Sequence, residues 1–473
     1  MNAAWDQLFK YFNWTHNKGW IGYQSEEQIV IKLNTTNLGA GGHSLFDWMN
    51  STPELVLAIL ENLIDTIGVN QADITIGDPY RGFPDEYYDI CHPKYPDVHY
   101  VEGKGTGGRE QTKLTNNNVF FTSETDDKLK FSSRLPQAYM DAEYLINMPC
   151  FKTHDAAGIT LAAKNHQGSV IGPNQSSDDQ SMVKYLHYAY PDNEENQVMG
   201  IYRHIVDYMA HSKLGGNTLV YIVDGIWGGR SWQGYVDKFG MPPFNNDYPN
   251  SLFISQDAVA IESVGFDFLY NEYKSYGSYH NNEKYPLWEG VQDYIHQAAD
   301  AANWPVGIVY DPDNADHSKP FGSLGVHEHW NDVTSKQYSV NLTGEKGGIH
   351  LVSVPEGLVA SMPIKYKHEN YQEPGPGPVE VIGAFAEENI SIYPNPVKNQ
   401  MNIRAAFDNP TSVIIDIISL DGRFVKNIYY TNVVHQVLNE SFPVNLSAGQ
   451  YFCRITTKDG ETSIKTIPFS IVN

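Results

Sequence analysis

The chain has 473 residues, 41% hydrophobic and 19% charged, which fits a globular protein with a sizeable core and excludes a disordered one. Its 56 acidic against 32 basic side chains give a formal charge of −24, so neither nucleic acid nor an anionic membrane is an expected partner. Three cysteines, Cys91, Cys150 and Cys453, fall short of the four thiolates of an ordinary iron–sulfur cluster, so no such cluster is expected and the three read as free buried thiols.

The opening "MNAAWDQLFKYFNWTHNKGW" has no basic region followed by an apolar core and does not read as a signal peptide. No run of about 18 apolar residues predicts a membrane span. "EEQIVIKLN" (26–34) predicts a short buried strand. "TPELVLAILENLIDTIG" (52–68) predicts a helix with Thr52 at its cap, Pro53 at its first position and Gly68 as its stop. "ADITIGDP" (72–79) predicts the next strand. Residues 80–133 are rich in Gly, Pro and Asn with weak periodicity, and read as a loop-rich insertion or long hairpins. Strands follow at 142–148, 217–225 (ending in Asp–Gly) and 251–256. Helices follow at 196–212, 257–273 (capped by Asp257) and 288–302.

This alternation implies an α/β fold with a mainly parallel or mixed sheet and flanking helices over residues 1–369. "NYQEPGPGPVEVIGAFAEEN" (370–389) reads as a Pro/Gly-rich linker. Residues 390–473 show short alternating runs separated by turn residues, and predict a small all-β sandwich.

In a parallel sheet, ligands bind beyond the carboxyl ends of the strands. That rule selects Asp78, Asp224, Asp257 and the segment "FKTHDAAGITLAAKNHQG" (151–168). Lys152 and Lys164 suit an anionic ligand, and His154 suits a general base or a metal ligand. Asn165 and Thr153 add hydrogen-bonding groups, and Gly158 and Gly168 allow close backbone approach. Asp155 reads as a turn or cap residue. Cys150 beside His154 raises nucleophilic catalysis, but the spacing does not establish contact. Asp224 can bind a metal or orient a lysine, or cap a turn. Asp257 doubles as a helix cap. "GVHEHW" puts His327 and His329 on one face if extended, an option for a divalent metal. His204, Asp207 and His211 could hold a metal along a helix edge, or form a polar boundary stripe.

Two resemblances follow from quoted residues. "SIYPNPVKNQMNI" (391–403), "IIDIISLDGRFVKN" (414–427) and "VNLSAGQYFCRITTKDG" (444–460) resemble the C-terminal sorting domain of type IX secretion, found in Bacteroidota. The resemblance implies the type IX machinery as partner and a secreted or outer-membrane-surface location, with a signal peptide already removed. "QIVIKLNTTN" (28–37), "LINMPCFKTHDAAGITLAAKNHQGSV" (145–170), "LVYIVDGI" (219–226) and "SLFISQDAVAIESVG" (251–265) resemble the domain of unknown function family 362. The matching positions are Lys32, Asn34, Pro149, Lys152, Thr153, His154, Thr160, Lys164, Asn165, Gly168, Asp224, Gly225, Asp257 and Glu262. Many relatives carry a ferredoxin-like cysteine cluster, which this chain lacks, so an iron–sulfur role does not transfer.

The expectation is an exported protein that binds a small anionic or polar substrate. Lys152, His154, Lys164 and Asn165 would act on it, with Lys32, Thr153, Gly168 and Asp224 in support. Asp224, Asp257, His327 and His329 are options for a divalent metal. The alternative is a non-catalytic surface protein that binds a glycan or protein on the same scaffold.

Overall fold

The computed structural model describes residues 2–38, 41–43, 49–121, 133–171, 189–232, 235–344, 347–354, 385–393, 397–398, 400–407, 411–419, 424–434, 437–443, 446–458 and 462–471. Residues 370–384 of the expected linker and 122–132 of the expected insertion lie outside the described residues. The chain divides into two compact units, Met1–Phe9 with Gly22–Leu351, and Lys10–Ile21 with Val352–Asn473.

In the first unit the strands are β1 (Ile29–Lys32), β2 (Ile74–Gly77), β3 (His99–Glu102), β4 (Glu110–Gln111), β5 (Leu114–Val119), β6 (Ser133–Pro136), β7 (Tyr144–Asn147), β8 (Cys150–His154), β9 (Gly158–Thr160), β10 (Thr218–Arg230), β11 (Tyr235–Asp237) and β12 (Ser251–Ser255). Ten form one sheet in the order β4-β3-β2-β1-β7-β10-β8-β9, with β11 and β12 also paired to β10. β1 through β4, β7, β8 and β10 pair in parallel, while β9, β11 and β12 pair antiparallel. The sheet is therefore mixed and mainly parallel. All four residues of "IVIK" in β1 and of "YLIN" in β7 are buried, as expected of strands covered on both faces.

Pro53 does open a helix, Pro53–Glu61, which widens into a π-helical turn over Asn62–Ile67 and stops at Gly68. Gly68 has φ 89°, a left-handed conformation that costs other residues energy, and a Cβ there would meet no atom within 4 Å. Backbone strain is then the sole penalty of Gly68→Ala, which is expected to lower stability by about 1 kcal/mol in thermal unfolding.

Three elements depart from the sequence reading. The region 80–133 supplies β3 and β4 to the central sheet, a helix Asp85–Cys91 and, with Ser133–Pro136, the β5–β6 hairpin. Its strands are short and β4 is exposed, so no hydrophobic period marks them. The helix expected at 196–212 covers only His204–Ala210. Gly200 takes φ 80°, and the preceding chain wraps around Arg203, whose guanidinium donates to the carbonyls of Ala189, Asn196 and Val198 and to Asp293. Finally, β10 runs on to Arg230 instead of turning at Asp224–Gly225. Gly225 packs so closely on the Ser251 carbonyl that a Cβ would sit 2.8 Å from it.

The second unit carries β13 (Phe385–Tyr393), β14 (Gln400–Phe407), β15 (Thr411–Ser419), β16 (Phe424–Val434), β17 (Val437–Pro443), β18 (Gly449–Lys458) and β19 (Thr462–Ile471). They form antiparallel sheets β13-β14-β17 and β16-β15-β18-β19. Met401, Ile403 and Leu438 from one, and Val413, Ile415, Ile417 and Ile455 from the other, share one buried cluster. Alternate residues of β15 point inward, the period expected of a sheet with one buried face.

Candidate functional site

Parallel register sets Lys32 beside Gly77 and Asn147, so three strand ends open on one place. Lys32 is fully buried there. Its ammonium donates to Asp78 Oδ2 at 2.9 Å, Asn165 Oδ1 at 3.2 Å and the Leu33 carbonyl at 2.5 Å. Asp78 Oδ1 also accepts from the backbone N–H of Tyr80 and Arg81. Asn165 donates to Asn147 Oδ1 at 2.7 Å, and Asn147 donates to the Ala162 carbonyl and contacts His166 Nε2 at 3.0 Å. Burial lowers the pKa of Lys32, an effect that Asp78 offsets. Burial also holds His166 down to about 3, so its ring is neutral. A Cβ on Gly168 would lie 2.9 Å from Asp78 Oδ2 and 3.0 Å from Lys32 Nζ, which explains glycine at that position.

A second group lies on β8 and the turn after it. Lys152 is buried, and its ammonium donates to the Trp232 carbonyl at 3.0 Å. Burial lowers it to about 8. Lys164 is partly exposed and sits 5.4 Å from the centre of the Tyr190 ring. Burial, then the charges of Lys152, Arg81 and Lys32, lower it to about 7. Asp155 acts on both lysines. Its own carboxyl is raised by burial, and Oδ1 is buried without a hydrogen-bond partner among the described residues. His154 Nδ1, 3.5 Å away, already accepts from the N–H groups of Ala156 and Ala157, so the ring proton lies on Nε2. His154 can therefore donate a hydrogen bond through Nε2. A small apolar cavity lined by Ala157, Tyr190, His204, Val291 and Tyr294 flanks this group.

The remaining expected site residues are held by the fold. Thr153 Oγ1 donates to the Tyr273 hydroxyl and accepts from Ser231 N–H. Asp224 Oδ2 accepts from Thr52 N–H at 2.6 Å, at the start of the helix Pro53–Glu61, and Oδ1 accepts from Ile226 N–H. Asp257 Oδ1 caps the helix Ala258–Tyr276 through Val259 and Ala260, and Oδ2 accepts from Val326 N–H. Glu262, raised to about 7 by burial, accepts from Ala163 N–H and the Tyr294 hydroxyl, which fixes the short helix Ala162–Asn165. Among the described residues, no cluster of three or more metal-ligating groups brings Asp224 or Asp257 together with His327 or His329. His327 and His329 instead lie beside His296. Of the edge at His204, Asp207 and His211, Asp207 accepts from the Tyr202 hydroxyl and His211 Nδ1 accepts from Lys213 N–H, as a polar stripe does.

Cys91, Cys150 and Cys453 are free and buried, and burial pushes each thiol up to about 12. A thiol so protonated at neutral pH is a poor nucleophile. Sequence reasoning missed Arg81 and His296. Arg81 could have been found from its place three residues after Asp78, at the same strand end. His296 is masked by the apolar period of its helix.

A family model described as a domain of unknown function (DUF362) matches residues 29–267, and one described as a secretion system C-terminal sorting domain matches residues 391–468. No curated protein matches. Among solved structures, the chain is similar to a dimeric latent PorU from Porphyromonas gingivalis, with 17% identity and a TM-score of 0.16, over 18% of this chain and 9% of that one.

Proposed function

The chain belongs to the DUF362 family of unknown function, and its type IX sorting tail sends it through that secretion machinery to the cell surface or beyond; on this premise we propose that it binds a small anionic ligand through Arg81, Lys152 and Lys164. One observation carries the reading. In a chain of net charge −24, these three cations act on one another while none forms an ion pair with a carboxylate among the described residues. Crowding like charges costs energy that a bound anion recovers. Asp155 and Lys164 would exchange protons with the ligand, since burial moves the carboxyl up and the ammonium down towards neutrality. His154 would donate a hydrogen bond, and the Lys32, Asp78, Asn165 and Asn147 network would position the loop that carries Lys164.

Isothermal titration of the full chain with sulfate tests this. Wild type is expected to bind, and Lys164→Ala and Lys152→Ala to weaken binding about tenfold or more. Lys164 is partly exposed, so its variant folds even if Lys152→Ala does not. Absence of binding in wild type, or unchanged affinity in Lys164→Ala, overturns the proposal. The non-catalytic reading is favoured by the exposed Trp227, Trp232 and Tyr235 around the β10–β11 turn, a surface that suits a glycan. Under it, glycan binding is lost in Trp232→Ala and unaffected in Lys164→Ala.

A further inference from the structure

We propose that His296, His327 and His329 form a binding site for one divalent transition-metal ion, zinc by preference. One ring nitrogen of each lies within 4.8 Å of the others. His296 comes from the helix Asp293–Ala299, and the other two come from an extended segment that crosses the helix Ala258–Tyr276. His327 Nε2 stands 3.1 Å from His296 Nε2. Two nitrogens at about 2.0–2.1 Å from a tetrahedral zinc lie roughly 3.3 Å apart, so this pair is already at ligand spacing.

The rings are also backed as metal ligands are. His327 Nδ1 faces Ser263 Oγ at 2.8 Å, and His329 Nδ1 faces Asp267 Oδ1 at 2.7 Å. Both partners are buried on the helix Ala258–Tyr276. Asp267 Oδ2 is fixed in turn by Trp330 N–H at 3.0 Å and the Tyr338 hydroxyl at 2.8 Å. The hydroxyl behind His327 Nδ1 donates to the Val259 carbonyl, so it accepts from the ring and turns the unprotonated Nε2 towards His296. His329 is exposed, and its Nε2 faces Gln292 Oε1 at 2.9 Å, so the Gln292 side chain has to give way to the ion while the Asp267 contact stays. Imidazole sets favour zinc, and three protein ligands leave one position for water or a small molecule.

The test is calorimetric titration of the metal-stripped full chain with Zn²⁺. One equivalent is expected to bind, with affinity lowered about a hundredfold or more in His327→Gln and His296→Ala, and about tenfold in Ser263→Ala. Circular dichroism of each variant confirms that it is folded. Failure of wild type to take up zinc overturns the site. So does equal uptake by a folded variant with all three histidines replaced by alanine.

Discussion

Lys32→Ala is expected to destabilise the α/β unit by about 3–5 kcal/mol, because it strands the buried Asp78 carboxylate without its counter-charge. Lys32 and Asp78 are both buried, and their contact is 2.9 Å. Two backbone N–H groups still serve Asp78 after the substitution, but the neutralising charge is gone and a void replaces the aliphatic stem. The double variant Lys32→Ala/Asp78→Asn removes the stranded charge, and is expected to be more stable than Lys32→Ala alone. Urea unfolding followed by tryptophan fluorescence measures this, since seven of the nine tryptophans, all but Trp14 and Trp20, belong to that unit. A loss below about 1 kcal/mol in Lys32→Ala would mean that the ion pair is not structural, and would return Lys32 to the ligand-contact role that its place in the motif suggests.

That contrast indicates what a sequence reveals of such a site. The α/β order and the strand ends were legible, because hydrophobic periods and the loops that follow them are local properties. The partners of each polar side chain were not. Lys32 meets an aspartate 46 residues away, and Asp224 meets a backbone N–H 172 residues away. Asp224–Gly225 carries a turn signature, yet its carboxylate is consumed in capping and its glycine in close packing, so the strand continues. Residues 196–203 have a helical apolar pattern, but the demands of the Arg203 guanidinium outweigh it. The same limit hid His296 from the "GVHEHW" pair, because only the folded chain brings its helix alongside.

Sulfate affinity is expected to fall roughly 100-fold between pH 6 and pH 9, as Lys164 and Lys152 lose their protons from about 7 and about 8. The sign follows from the charge that the ligand needs. Below pH 7 both ammonium groups are charged and binding is strongest; above pH 8 both become neutral and attraction is lost. Sulfate keeps its own charge throughout this window, so the slope belongs to the protein. Bound sulfate favours the protonated lysines, which places the observed fall somewhat above the free-protein values. Lys164→Arg separates this account from a general surface effect. Arginine stays protonated across the range, so the variant is expected to bind at pH 9 more tightly than wild type and to show a shallower profile. A flat wild-type profile, or an identical slope in Lys164→Arg, would show that the crowded cations do not form the anion site. If the slope is shallower but not flat, the remainder assigns Lys152 as the second titrating group, because it is the other depressed lysine acting on Lys164.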